Sequence, residues 1–206
     1  MLIFDLDGTL WETVDATLAG ANAIAHKYEE VKPFTKDVIE GAMGLSKIDN
    51  ARSYMPYLSD EKALYYLDLI NDATFILMSK DNVKLYDGVV DTIKNLSKKY
   101  KLGIVTNNNT RYAEKFLEVS GLKDYFTDFL GAISVNKTKG ETIKLMVERN
   151  NEPGSYYIGD IKKDMESTIE AGITFIHARY GFEPNLECEY HIDSIRELEG
   201  LLEKIS

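Results

Sequence analysis

Asp5 and Asp7, in the run Asp5-Leu6-Asp7-Gly8-Thr9, are carboxylates at alternate positions where a short apolar segment ends. On a strand, side chains two apart point the same way, so both would face one site. Two carboxylates held together raise one another's pKa, and a metal ion between them relieves this. Hard oxygen donors of this kind suit magnesium better than zinc. Gly8 lets the chain turn sharply without a Cβ. Taken alone, Asp-x-Asp-Gly fits an ordinary turn after a strand equally well.

Further positions bear on the same chemistry. Thr106 and Asn107 follow the apolar run that ends at Val105. A threonine hydroxyl and the next backbone N–H can both bind phosphoryl oxygens, although a Thr-Asn pair is also a common turn. Lys139 opens the helical pattern KGETIKLMVE, where a lysine opposes the helix dipole unless something anionic lies nearby. Lys137 is the alternative to it, and a solvated surface lysine is the bland reading of either. Gly159-Asp160 ends SYYIGD, and Asp164 follows one helical turn later. An acidic first turn also simply suits a helix N-terminus.

The elements that must position these residues alternate. Leu2 to Leu6 reads as a buried strand. Helices are expected from about Asp15 to Glu30, over Lys36–Glu40 and Ser46–Met55, and from Ser59, with Ala63, Leu67, Ile70, Ala73 and Leu77 as the last one's stripe. From Lys84 onward strands at 102–106, 129–133, 156–158, 173–176 and 190–192 alternate with helices at 89–96, 111–119, 143–147, 163–170 and 195–202. That rhythm implies a parallel sheet covered on both faces. The expected organisation is an α/β core domain over 1–11 and 83–206, with a small all-helical cap domain over 12–82 inserted after the first strand. Chemistry in such sheets sits at the carboxyl ends of strands, and the residues above each fall at a strand end or a helix start.

The order DLDGTL (5–10), TN (106–107), KGE (139–141) and GDIKKD (159–164) resembles the four-motif pattern of the haloacid dehalogenase superfamily. LYDGV (85–89), SGLKDYF (120–126), EAGI (170–173) and YGF (180–182) resemble its phosphoglycolate-phosphatase-like branch. The resemblance spans the chain, with the cap its least specific part. Relatives often carry Lys-Pro where this chain has Lys139-Gly140, and Pro where it has Asp87.

The resemblance implies a Rossmann-like core and a Mg2+-dependent phosphatase. Asp5 would be the nucleophile, forming an aspartyl-phosphate. Asp7 would be the general acid–base and bind the metal through its carbonyl. Thr106, Asn107 and Lys139 would hold the phosphoryl group, and Asp160 would complete the metal site with Asp5. Gly8 and Asp164 would support it, Asp164 by orienting Lys139 or a metal-bound water. The substrate would be a small phosphorylated metabolite, with the cap closing over it. Runner-up readings are a β-phosphoglucomutase-like isomerase, which the DGT rather than DGV sequence disfavours, and a non-catalytic phosphate-binding domain.

Composition bounds these readings. A net charge of −10 argues against nucleic acid or anionic membrane as partners. One cysteine, Cys188, excludes an intramolecular disulfide. With no leader-like or long apolar run, a cytoplasmic location is expected, as a monomer or homodimer. Trp11 and Glu12, directly after the first motif, are candidates for the substrate side. So is the loop Gly41 to Leu45, with Lys47 and Arg52 behind it. Tyr54, Tyr57, Tyr65 and Tyr66 are expected to cover the cap's apolar face, and His26 and His177 to be structural.

Overall fold

The computed structural model describes residues 1–43, 45 and 47–205. In chain order, β1 (Leu2–Phe4) and β2 (Trp11–Glu12) precede the helices α1 (Val14–Lys27), α2 (Lys36–Glu40), α3 (Lys47–Tyr54) and α4 (Asp60–Leu77). Then come β3 (Lys84–Leu85), α5 (Val89–Leu96), β4 (Leu102–Thr106), α6 (Thr110–Ser120), β5 (Asp128–Gly131), α7 (Ala132–Val135) and α8 (Lys139–Asn150). The chain closes with β6 (Tyr156–Gly159), α9 (Lys162–Ala171), β7 (Thr174–Ala178), β8 (His191–Ile192) and α10 (Leu198–Ile205). Two compact units result: Met1–Glu12 with Leu85–Ser206, and Thr13–Lys84.

The first unit is a six-stranded sheet of order β5-β4-β1-β6-β7-β8, with every pair parallel. Its strands are nearly continuous apolar runs, as strands covered on both faces require. Leu2, Ile3 and Phe4 are fully buried between β4 and β6. The chain proceeds from β1 outward to β4 and β5, then crosses back to β6 and runs the other way. The strand order therefore reverses around β1, and the crevice at such a reversal is where open α/β sheets bind ligands.

The first strand is shorter than the pattern suggests. It ends at Phe4, because the Leu6 carbonyl gathers the N–H groups of Thr9, Leu10 and Trp11 at 2.8–3.2 Å and folds the chain into a loop. Similarly, Ile133 lies exposed on α7 rather than in a strand. Its neighbour β4 stops at Thr106, so β5 has nothing to pair with beyond Gly131.

The second unit packs α1 to α4 around Ala21, Ile24, Ile39, Ala51, Tyr54, Met55, Ala63, Tyr66, Leu67 and Ile70. Ser59 caps α4, its hydroxyl accepting the Lys62 N–H at 3.4 Å. Tyr57 and Tyr65 are exposed and do not cover the apolar face, unlike Tyr54 and Tyr66. Lys47 pairs with Asp68, and Arg52 forks onto Asp60 at 2.6 and 3.0 Å, all at the surface. Gly44 of the candidate loop and Ser46 at the expected helix start lie outside the described residues. None of the described helices is long and apolar enough to cross a membrane.

Ile3 lies at the centre of β1 with no exposed surface. Ile3→Ala should cost about 2–5 kcal/mol of stability. Urea unfolding followed by fluorescence of Trp11, the chain's one tryptophan, measures this directly.

Candidate active site

The carboxyl ends of β4, β1 and β6 bring the candidate residues together, and a lysine organises them. Thr138 caps α8 through a reciprocal capping box: its hydroxyl accepts the Glu141 N–H at 3.1 Å, and Glu141 accepts the Thr138 N–H at 2.8 Å. The cap starts the helix at Lys139, which is buried, whereas Lys137 is exposed. The Lys139 ammonium lies 3.0 Å from Asp5 and 2.5 Å from Asp164. Its Nζ also stands 5.4 Å from the ring centre of Tyr157, whose hydroxyl donates to the Val105 carbonyl at 2.8 Å, next to Thr106. The choice between the two lysines was written in the sequence as the Thr138-x-x-Glu141 capping box.

Asp164 is fully buried and faces inward. One oxygen takes Lys139; the other accepts the N–H groups of Asp160 at 3.1 Å and Ile161 at 3.4 Å. It therefore supports the site by holding Lys139 and the turn after β6. Asp160 accepts from the Thr9 hydroxyl at 3.1 Å and the Phe182 N–H at 2.8 Å. Two glycines make room for it. A Cβ on Gly8, whose φ is +82°, would stand 2.1 Å from an Asp160 oxygen, and one on Gly181 would stand 2.3 Å from the Asp160 Cβ. Tyr180 donates to the Thr9 carbonyl at 2.9 Å.

The Asp7 carboxylate lies on the loop after β1 and is not one of the three that converge most closely; its Oδ1 accepts the Tyr112 hydroxyl at 2.7 Å, and its charge still helps to raise the Asp5 pKa. Trp11, expected on the substrate side, does not line the site. It is fully buried, edge-on to Tyr112 and Phe116 with ring centres 5.4 and 5.1 Å away. Thr106 ends β4, buried, and its oxygen accepts the Asn108 N–H at 3.2 Å, which leaves the hydroxyl proton able to donate. Asn107 is exposed beside it, and His177 is buried on β7.

Among the described residues, Asp5, Asp160 and Asp164 each place a carboxylate oxygen within 4.8 Å of the others. Burial pushes the Asp5 carboxyl up to about 7, against the pull of Lys139. Burial, then the charges of Asp164 and Asp5, pushes Asp160 up to about 8. Burial disfavours the Lys139 charge, but Asp164 and Asp5 outweigh it and hold the ammonium well above the ordinary lysine range. Three buried carboxylates facing one ammonium leave two negative charges without a counter-charge when all are ionised. A divalent cation matches that deficit, and an all-oxygen donor set suits Mg2+. Asp164 already spends one oxygen on Lys139 and the other on two backbone N–H groups, so Asp5 and Asp160 are better placed to offer it oxygens.

Haloacid dehalogenase-like hydrolases match residues 2–178 as a family. This chain belongs to them. Relatives of the haloacid dehalogenase-like hydrolase include a pyrophosphatase PpaX of Listeria innocua, 28% identical over 185 residues, covering 84% of this chain and 82% of that one. A phosphoglycolate phosphatase of Vibrio vulnificus is 26% identical over 195 residues, covering 88% and 84%. The fold matches that of a haloacid dehalogenase-like family hydrolase from Streptococcus pneumoniae, with a TM-score of 0.83 at 20% identity, covering 98% of this chain and 97% of that one. A subfamily IA hydrolase from Geobacter sulfurreducens matches with a TM-score of 0.74 at 21% identity, covering 98% and 95%.

The raised Asp160 pKa has a consequence for stability. The folded hydrolase keeps this proton to a higher pH than the unfolded chain, whose carboxyl titrates near about 4. Folding stability from this group therefore falls as pH rises between about 4 and 8. Without divalent cations, the wild type should lose melting temperature relative to Asp160→Asn across that window. Thermal melts in EDTA at pH 5 and pH 8 read the difference.

Proposed function

We propose that this hydrolase is a magnesium-dependent phosphatase for a small phosphorylated metabolite, with Asp5 as its nucleophile. The observation that carries the reading is the buried Lys139 ammonium set between Asp5 and Asp164, beside Asp160. Such a cation favours the ionised carboxylate against its burial and draws in an anionic group at the same place.

In the first step an Asp5 oxygen attacks phosphorus in line with the leaving oxygen. The Asp5–phosphorus bond forms as the ester bond breaks, and Asp7 gives its proton to the leaving oxygen. In the second step water attacks the phosphorus of the aspartyl-phosphate and Asp7 takes its proton. The bond to Asp5 then breaks, releasing inorganic phosphate and restoring the carboxylate. The Thr106 hydroxyl, the Asn107 N–H and the Lys139 ammonium would hold the phosphoryl oxygens. Asp5, Asp160 and the Asp7 carbonyl would hold Mg2+, which when bound supplies charge neutralisation for the acid cluster and the phosphoryl oxygens.

The relatives' names point to phosphoglycolate and pyrophosphate as first substrates. Both place a second anionic group close to the scissile phosphoryl group, so both would benefit from a cationic site.

Inorganic phosphate release should be measured on p-nitrophenyl phosphate, phosphoglycolate, other alkyl phosphates and pyrophosphate, with Mg2+ and with EDTA. Turnover should require Mg2+ and fall by at least about a thousandfold in Asp5→Asn. No release from any of these by folded wild-type protein with Mg2+ present would sink the reading.

A further inference from the structure

We propose that Tyr112 positions Asp7 for proton transfer, an inference that rests on the acid–base role given to Asp7 above. Tyr112 occupies the first turn of α6, where the Asn109 side chain caps the helix by accepting the Tyr112 N–H at 3.0 Å. Its ring is held edge-on by Trp11, which in turn packs against Phe116. The ring is almost entirely buried, and its hydroxyl reaches out of this aromatic wall to Asp7 Oδ1 at 2.7 Å. An apolar residue would fill the same space with no donor.

The chemistry of that contact is specific. A phenol O–H can donate to Oδ1 whether Asp7 is ionised or carries its proton on Oδ2. The contact therefore persists through both steps and assigns the mobile proton to Oδ2. It also fixes the carboxyl rotamer on a loop that has left the sheet, where the backbone alone would not orient it. Tyr112 acts through Asp7 and is a positioning residue, with no bond to the reacting atoms required of it.

The test uses leaving groups of different need. p-Nitrophenolate is a stable anion that departs with little protonation, whereas an alkoxide departs only as its oxygen gains a proton. kcat/KM covers the steps through leaving-group departure, so it reports the acid's placement directly. Tyr112→Phe keeps the ring and removes the donor.

We expect the ratio of kcat/KM on p-nitrophenyl phosphate to that on the best alkyl phosphate of the panel to rise about tenfold. That is a fraction of the roughly 10²–10⁴ that a positioned general acid contributes. Asp7→Asn should raise the ratio further, and Tyr112→Phe added to Asp7→Asn should change it no more.

An equal loss on both substrates, or an effect of Tyr112→Phe that persists undiminished in the Asp7→Asn background, would overturn the inference by making Tyr112 a packing residue only. If the wild type releases phosphate with Mg2+ but the ratio stays put in Tyr112→Phe, this inference fails and the phosphatase reading stands. If the wild type releases none from any ester, both fail together.

Discussion

One ammonium group among buried carboxylates is the constraint on which the rest of the site depends. Lys139 ties the start of α8 to the end of β1 through Asp5 and to the first turn of α9 through Asp164. Charges removed from water are costly unless each meets a partner, and taking one partner away typically costs about 3–5 kcal/mol. The three elements must therefore close together or not at all. A lysine at this helix start also opposes the α8 dipole. The Thr138–Glu141 capping box offsets that by satisfying end N–H groups and placing an acid in the first turn.

Around that pairing, the neighbouring contacts leave little freedom. Asp160 is held by Thr9 and Phe182, and is fitted between two glycines that have no Cβ to intrude. Asp164 spends its second oxygen on the turn that carries Asp160. Tyr157 reaches across to the Val105 carbonyl and steadies the backbone that presents Thr106. Sites held in place before the reaction do not have to reorganise as charge develops, which is the larger part of what a hydrolase scaffold provides.

Much of the architecture was legible in the sequence because period and breaker signals agreed. The apolar run 102–106 is β4 to the residue, and Ser59 caps α4 where the pattern begins. The misses have two physical causes. Strand β1 stops early because of a local loop whose N–H groups converge on Leu6, which the apolar run does not reveal. In the others the deciding contact is remote in sequence. Ile133 leaves the ladder because the partner strand has ended. Trp11 follows the first motif, but its environment is made by Tyr112 and Phe116, about a hundred residues away.

The sequence by itself determined the chemical types of the site and their order, because carboxylates, a threonine and a lysine at strand ends and helix starts are local features. It also determined the alternating α/β architecture, since each strand and helix carries its own periodicity. Only the tertiary structure decided which groups touch. It set the Lys139 ammonium against Asp5, put Asp164 into the acid cluster, and turned Asp7 toward Tyr112. Those outcomes depend on side chains far apart in the sequence, by 25 positions for Lys139 and Asp164 and by 105 for Tyr112 and Asp7, meeting in a buried, poorly screened space, and no local pattern encodes such a meeting.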